Sequence, residues 1–367
     1  MPAVSVLMAV YNGERHLAAA IDSILAQTFR DFELVIVDDG STDGSRAIAE
    51  SYRDPRVRLV ALERNQGLSH ALNEGLRAAA SPLVARQDAD DLSEPHRLAT
   101  QIDVMSARPD LAILGSQATA LHEDGTTAGV VWRPVETSSI LWYSLFDNPF
   151  AHTSMVFRTS VIRDELGGFN ARYDPFSQDY ALWCEVLHRY PFANLPDRLV
   201  RYRVHGSSII GSLDRREDDD YRQRFERIVR EIIGGHARRL MNGLTISDDE
   251  VELLASFVLG LDDQAIERFL TLFERLLDTF VQHHPGATSS EDFLDTLARQ
   301  FDALAFRITP WSRRSARTMY THALRRHPAL RGHLSWGRAL ALAVLGKEGR
   351  GRLSELRRRL PGAGWAT

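Results

Sequence analysis

The chain has 367 residues, 44% hydrophobic and 25% charged, with a net charge of −5 and one cysteine, Cys184. That length exceeds a comfortable single core, so one large domain with an appendage, or two domains, is expected. One cysteine excludes an intrachain disulfide and a cysteine metal cluster, and no apolar run reaches the length of a bilayer-spanning helix.

A lone cysteine fits a reducing compartment. The start, Met1-Pro2-Ala3-Val4, lacks basic residues before a long apolar run, so no signal peptide is expected. The charge is unevenly spread. Arg307–Arg359 holds fourteen basic and two acidic residues, a local +12 against −17 for the remainder. Such asymmetry marks a basic tail suited to an anionic surface.

Val4–Val10 is a short run of β-prone apolar residues, the pattern of a buried parallel strand. It ends at the turn signal Tyr11-Asn12-Gly13. Leu17, Ala20, Ile21, Ile24 and Leu25 then recur at helical spacing. Phe32–Val37 predicts a second strand, ending at Asp38-Asp39-Gly40, and Ser45–Tyr52 a helix. Val57–Leu62 predicts a third strand, ending at Glu63-Arg64-Asn65-Gln66-Gly67. Leu68, Ala71, Leu72, Gly75, Leu76 and Ala79 mark the next helix, and Leu83–Gln87 the fourth strand. This alternation predicts an α/β fold with a Rossmann-like, mostly parallel sheet, right-handed crossovers and polar loops along one edge. The first loop has no G-x-G-x-x-G, so the dinucleotide fingerprint is absent.

The fourth strand runs into Asp88-Ala89-Asp90-Asp91. In extended chain, Asp88 and Asp90 face one side while Asp91 turns away or begins a loop. Ligands gather at the C-terminal edge of such sheets. Carboxylates this close repel unless a cation or hydrogen-bond donors lie between them, and hard oxygens suit Mg²⁺ or Mn²⁺. A solvated polar loop is the competing reading.

Four segments occur in order: Ser5–Asn12, Val37–Asp43, Asn65-Gln66-Gly67 and Asp88-Ala89-Asp90-Asp91. Together they resemble the nucleotide-binding half of a family 2 glycosyltransferase of the GT-A fold. Tyr11 can stack on a base, with backbone groups near Ala9 and Val10 on the nucleoside; packing under a loop is the alternative. Asp39 can accept the ring N–H of uracil or thymine, while Asp38 braces the loop. Gly67 allows close backbone approach or starts a helix, and Asn65 joins it as a nucleotide contact. Arg86 neutralises the acids or a phosphate, or braces the strand. The resemblance implies that Asp88 approaches the ribose or the metal's water shell, and that Asp90 coordinates an Mg²⁺ or Mn²⁺ bridging the diphosphate.

The resemblance continues through Phe150–Arg158, similar to the family's H-x-S-x-x-x-R segment, and Gly167-Gly168-Phe169-Asn170. It implies that His152, Gly168 and Gln178 lie at the acceptor or sugar site; His152 reads equally as a structural histidine. Ser177-Gln178-Asp179-Tyr180-Ala181-Leu182-Trp183 looks like the family's [E/Q]-D-Y-x-L-W helix start, with Ser177 as cap and Tyr180 and Trp183 packed inward. A helix N-terminus favours an ionised acid. In the family this acid is the general base of an inverting reaction, which implies that role for Asp179. His205, in a segment like Y-R-x-H-x-x-S, is a metal or diphosphate ligand or a strand cap. Arg201 and Arg203 pair with phosphate or with the acidic site.

From Asp214 onward the periodicity is helical, through faces such as Ile228, Val229, Ile232, Ile233 and Phe269, Leu270, Phe273, Leu276, Leu277. This divides the chain into a catalytic domain, 1–213, and a helical region with a basic tail, 214–367. Residues 1–92 form the nucleotide-binding half of the catalytic domain and 93–213 the acceptor half. The helical region covers the catalytic domain or forms a homo-oligomer contact. Trp336, Leu340 and Leu342 among Arg338, Lys347 and Arg350 suit peripheral contact with an anionic membrane. No nucleic-acid fold signature accompanies the charge, so nucleic acid is not expected as a partner.

The expectation is a metal-dependent, inverting glycosyltransferase of cell-surface polysaccharide synthesis. It would use a UDP- or dTDP-sugar and a glycan or lipid-linked acceptor. Its expected place is the cytoplasm, or the inner face of the cytoplasmic membrane. The rivals are a nucleotidyltransferase, for which the first loop lacks the basic glycine-rich character, and a non-catalytic sugar-nucleotide binder.

Overall fold

The computed structural model describes residues 1–204, 219–259, 265–308 and 321–332. Its first part alternates strands and helices: β1 (Val4–Val10), α1 (Glu14–Leu25), β2 (Phe32–Asp38), α2 (Ser45–Ser51), β3 (Val57–Ala61), α3 (Leu68–Ala78) and β4 (Leu83–Asp88). All seven residues of β1 are buried, which is why the strand is apolar at every position but Ser5. Then come β5 (Leu92–Ser93), α4 (Arg97–Ala107), β6 (Ile113–Leu121), β7 (Thr127–Val131), α5 (Thr137–Tyr143), β8 (Val156–Arg158), α6 (Gln178–Arg189) and β9 (Phe192–Arg203).

One sheet runs in the order β3-β2-β1-β4-β8-β6-β9-β5, with β7 paired to β6. The pairs β3–β2, β2–β1 and β1–β4 are parallel, as the sequence predicts. Beyond β4 the sheet is mixed: β8 is antiparallel to β4 and β6, while β9 is parallel to β6. Chain order reverses at β1, between β2 and β4, which opens a crevice at their C-terminal ends. The register sets Ala9 opposite both Val37 and Asp88, so the ends of three strands meet there.

The strand period of two divides the core. Val4, Val6, Met8 and Val10 pack on one face with Leu17, Ile21 and Ile24 of α1 and Leu98, Ile102 and Met105 of α4. Leu7 faces the opposite way, towards α3, where Gly75 allows close approach.

Two stretches carry structure that the sequence reading does not describe. Phe150–Arg158 is not a single strand. His152–Ser154 forms a 3-10 turn before β8, because the Ser154 N–H and Oγ both bond back to the Ala151 carbonyl, at 2.8 Å. β9 runs from Phe192 across Pro196 to Arg203. Pro196 interrupts the apolar pattern, and the register shifts there, from Ser116↔Leu195 to Gln117↔Arg198.

Among the described residues, Met1–Arg133 and Phe150–Arg222 form one compact unit. Pro134–Pro149 groups instead with the helices from Gln223 onward, a grouping that differs from the sequence division at 213. That second unit contains most of α7 (Asp219–Leu240), then α8 (Asp248–Leu259), α9 (Ala265–His283) and α10 (Glu291–Ile308). Its core is aromatic. Trp142 of α5 packs edge-on to Phe273, 5.2 Å between centroids, and its indole N–H donates to Gln300 at 2.6 Å. No helix of the described residues is long and apolar enough to cross a membrane. His205 and residues 309–320 and 333–367, with ten of the fourteen basic residues of the tail, lie outside the described residues.

Gly75→Ala tests the α3–sheet contact. A helix interior gains about 1 kcal/mol from Ala. Here the added methyl would lie 1.9 Å from Leu7 Cδ1 and 3.2 Å from Val37 Cγ2. Overpacking of this kind costs about 1–3 kcal/mol and outweighs propensity. The urea midpoint should fall; a rise would contradict the packing.

Candidate functional site

The crevice at the ends of β1, β2 and β4 collects most of the residues singled out in the sequence. Tyr11 is 49% exposed, which removes the reading of a ring packed under a loop. Ala9 and Val10 are buried, and the Val10 carbonyl accepts the Asp39 N–H at 2.9 Å. That bond ties β1 to the start of the second loop. Asp38 Oδ1 accepts the Ser41 N–H at 3.1 Å, the expected brace. The Asn12 side chain accepts the Thr42 N–H at 2.8 Å and joins the first two loops.

Asp39 is buried and turned towards the third loop. Its two carboxylate oxygens accept the backbone N–H groups of Gln66, at 2.8 Å, and Gly67, at 3.0 Å. Burial holds its pKa above the usual carboxylate value, against the opposing pull of those two N–H bonds. Asn65 is exposed on the same loop. Gly67 has φ +95°, a conformation that favours glycine, and directly precedes α3.

The N-terminus of α3 is capped from far along the chain. The Asp174 carboxylate accepts the Ser69 N–H at 3.0 Å and the Ser69 hydroxyl. Asn73 on the same helix grips the Phe169 backbone, accepting its N–H and donating to its carbonyl, both at 2.8 Å. Gly168, with φ +84°, lies so close that a Cβ would stand 2.3 Å from Asn73 Oδ1. The glycine loop is thus bolted to α3. Neither Asp174 nor Asn73 belongs to a sequence periodicity, and only the fold reveals their roles.

Arg86 stands at the centre of the second cluster and is 0% exposed. Its guanidinium donates to Asp88 Oδ1, to the Gln87 carbonyl, to the Leu7 carbonyl at 3.3 Å, and through Nε to His152 Nε2 at 3.0 Å. These bonds and its burial make Arg86 a brace for Asp88 and His152, the alternative to direct phosphate contact. The Asp88 N–H donates to Thr153 Oγ1 at 3.2 Å, a support that the sequence did not mark.

The three acids have separate surroundings. Asp88 and Asp90 are half-buried at the strand end, and Asp91 is buried. Asp91 Oδ1 accepts the Arg203 N–H at 2.7 Å, and Arg203 Nε donates to the Asp90 carbonyl at 3.0 Å. Burial, then the charges of Asp90 and Asp88, push the Asp91 pKa well up. The same acids raise the phenol of Tyr202, after the larger effect of burial. Arg203 therefore serves the acidic loop, whereas Arg201 pairs with Glu94 at 2.6 Å.

His152 lies between aromatic rings, with centroids 5.8 Å from Phe169 and 6.3 Å from Trp183. Its Nδ1 is 3.8 Å from Asp179 Oδ2. Burial lowers the His152 pKa, as does the neighbouring Arg86. Asp179 occupies the first turn of α6, with Tyr180 and Trp183 buried as expected. Ser177 precedes that helix but makes no side-chain cap bond, contrary to the sequence reading. Gln178 is buried beside Asp179. Asp88, Arg86, His152 and Asp179 thus form one cluster.

No group of three or more metal-ligating His, Cys, Asp or Glu side chains occurs among the described residues. A hard divalent cation fits what is present. Asp88 and Asp90 offer oxygen donors at a strand end whose negative charge is felt by Asp91 and Tyr202. Such a cation takes one or two protein carboxylates and completes its shell from phosphates and water.

The sequence model of glycosyl transferase family 2 matches residues 5–163. An O-antigen biosynthesis glycosyltransferase of Escherichia coli, WbnJ, is 35% identical over 56% of this chain and 81% of its own length. An uncharacterized glycosyltransferase of Haemophilus influenzae is 32% identical over 56% of this chain and 67% of its own length. A UDP-Gal:alpha-D-GlcNAc-diphosphoundecaprenol beta-1,3-galactosyltransferase of Escherichia coli is 33% identical over 51% of this chain and 68% of its own. The crystal structure of S. aureus TarS 1–349 in complex with UDP-GlcNAc shares the fold. Its TM-score is 0.52 at 16% identity, covering 96% of this chain and 92% of that one.

Asp39→Ala would leave the Gln66 and Gly67 N–H groups without their acceptor. Because the loop is only partly buried, the expected loss is about 1–3 kcal/mol of stability. Urea unfolding measures it, and an unchanged midpoint would contradict the bracing role.

Proposed function

Since the chain belongs to glycosyl transferase family 2, and is a glycosyltransferase, we propose that it uses a UDP- or dTDP-sugar and inverts the anomeric centre. The acceptor is a hydroxyl of a glycan or lipid-linked glycan in cell-surface polysaccharide synthesis. The observation that carries this reading is the meeting of Asp88 and Asp179, through Arg86 and His152, in one cluster at the sheet edge. The activities of the Escherichia coli relatives, O-antigen biosynthesis and transfer of galactose from UDP-Gal, support the substrate class.

On this reading Tyr11 offers its exposed ring to the base. Asp39 takes the ring N–H of uracil or thymine on an oxygen lone pair left over after its bonds to Gln66 and Gly67. Ala9, Val10, Asn65 and Gly67 line the nucleoside, and Asp88 faces the ribose. Asp90 holds Mg²⁺ or Mn²⁺, with His205 as a further ligand. When bound, the cation acts as a Lewis acid towards the departing diphosphate. Gly168 and Gln178 shape the acceptor side.

Asp179 takes the proton of the acceptor hydroxyl as that oxygen forms its bond to the anomeric carbon. The bond from this carbon to the diphosphate oxygen breaks on the opposite face, and the nucleoside diphosphate leaves with the electron pair. One displacement inverts the centre. The enzyme works in the cytoplasm or against the inner face of the membrane, where the basic segment after Arg307 suits an anionic surface.

Two substitutions separate the roles. Asp179→Asn should still bind UDP in the presence of Mn²⁺ and lose transfer by at least about 10²-fold. Transfer at the wild-type rate would remove Asp179 as the base. Asp90→Ala should lose the Mn²⁺-dependent part of UDP affinity in calorimetry. Equal affinity across a manganese titration would remove its metal role.

A further inference from the structure

Arg86 fixes more than the position of His152. Its Nε always carries hydrogen, so the 3.0 Å contact with His152 Nε2 requires a lone pair on that nitrogen. The imidazole proton is therefore on Nδ1, an assignment made from the hydrogen-bond partner. That nitrogen is buried without a hydrogen-bond partner and lies 3.8 Å from Asp179 Oδ2. Phe169 and Trp183 limit the tilt of the ring from two sides. Catalytic contacts in a ligand-free chain are commonly long and tighten when substrate binds.

We infer that His152 is a positioning residue for the acceptor base: its Nδ1–H orients the Asp179 carboxylate, and Arg86 selects that tautomer while gripping Asp88. Asp88, on the sugar-nucleotide side, and Asp179, on the acceptor side, are then registered to one buried guanidinium. Lowering of the His152 pKa by burial and by Arg86 agrees with a neutral ring. This inference rests on the assignment of Asp179 as the base.

Two variants of His152 part its two nitrogens. A glutamine carbonyl reaches the place of Nε2 and keeps the Arg86 contact, but offers no donor at Nδ1. An asparagine amide N–H stands at the place of Nδ1 and keeps the donor towards Asp179. The 367-residue chain is assayed for UDP release from whichever of UDP-glucose, UDP-galactose and UDP-N-acetylglucosamine it consumes fastest. UDP binding with Mn²⁺ is followed by calorimetry.

His152→Gln should lower kcat by about 10²-fold, the cost of a misplaced catalytic group, with UDP affinity within about twofold. His152→Asn should recover most of that loss. In an Asp179→Asn background, His152→Gln should cost nothing further, because the group it orients is gone. Three results would overturn the inference: wild-type kcat in His152→Gln, equal loss in His152→Asn, or additive losses in the double variant. The two assignments fail differently. Wild-type transfer by Asp179→Asn defeats the base assignment; an inert Asp179→Asn beside a fully active His152→Gln defeats the positioning role alone.

Discussion

The structure of the site depends on burying two arginines, Arg86 of β4 and Arg97 at the start of α4. Arg86 and Arg97 are both 0% exposed. A buried cation costs several kcal/mol unless its donors and charge are satisfied. Arg86 is answered by Asp88, His152 and two backbone carbonyls. Arg97 bonds the Arg86 carbonyl at 2.7 Å, Gln87 Oε1 at 2.9 Å, Ser93 Oγ at 2.9 Å and Gln101 Oε1 at 3.0 Å. Burial, with Arg86 nearby, lowers the Arg97 pKa to about 9, while Asp91 and Asp88 oppose that shift. Asp88 is therefore the counter-ion of Arg86, and its loss would leave that buried cation without its carboxylate.

A second set of constraints holds the loops. Asp39 ties the second strand-end loop to the third, and Asp174 with Asn73 ties the third and its helix to the glycine loop. Each tie is a carboxylate or amide answering backbone groups, so the loops are fixed by main-chain bonds. Groups meant to meet a nucleotide need such preorganisation, since ordering them at the moment of binding would cost affinity. The acceptor-side loop and the nucleotide-side loops share α3 as their anchor.

The parallel half of the sheet was legible because its central strands are buried on both faces. Val4–Val10 and Phe32–Val37 read as apolar runs broken only by Ser5 and Glu33, and polar loops punctuate them. β9 was half hidden, since Pro196 breaks its pattern and a register shift absorbs the break. The grouping of Pro134–Pro149 with the later helices was not legible. Trp142 finds its partners in Phe273, Phe280 and Phe293, far along the chain. In the site, motifs marked Asp88, Asp90, His152 and Asp179, but periodicity carries no information about their pairing. The Arg86–His152 bond spans 66 positions and the Asp174–Ser69 bond 105, and only packing brings such residues together.

In the proposed mechanism, with Asp179 as base on one side and the diphosphate on the other, a single displacement takes place at the anomeric carbon. Proton NMR of the first product formed from an α-linked UDP-sugar tests that directly, before any equilibration of anomers. The account predicts a β-linked product. An α-linked product would contradict it, because retention requires a second displacement or attack from the face the diphosphate leaves, and Asp179 acting as a base on the opposite face provides neither.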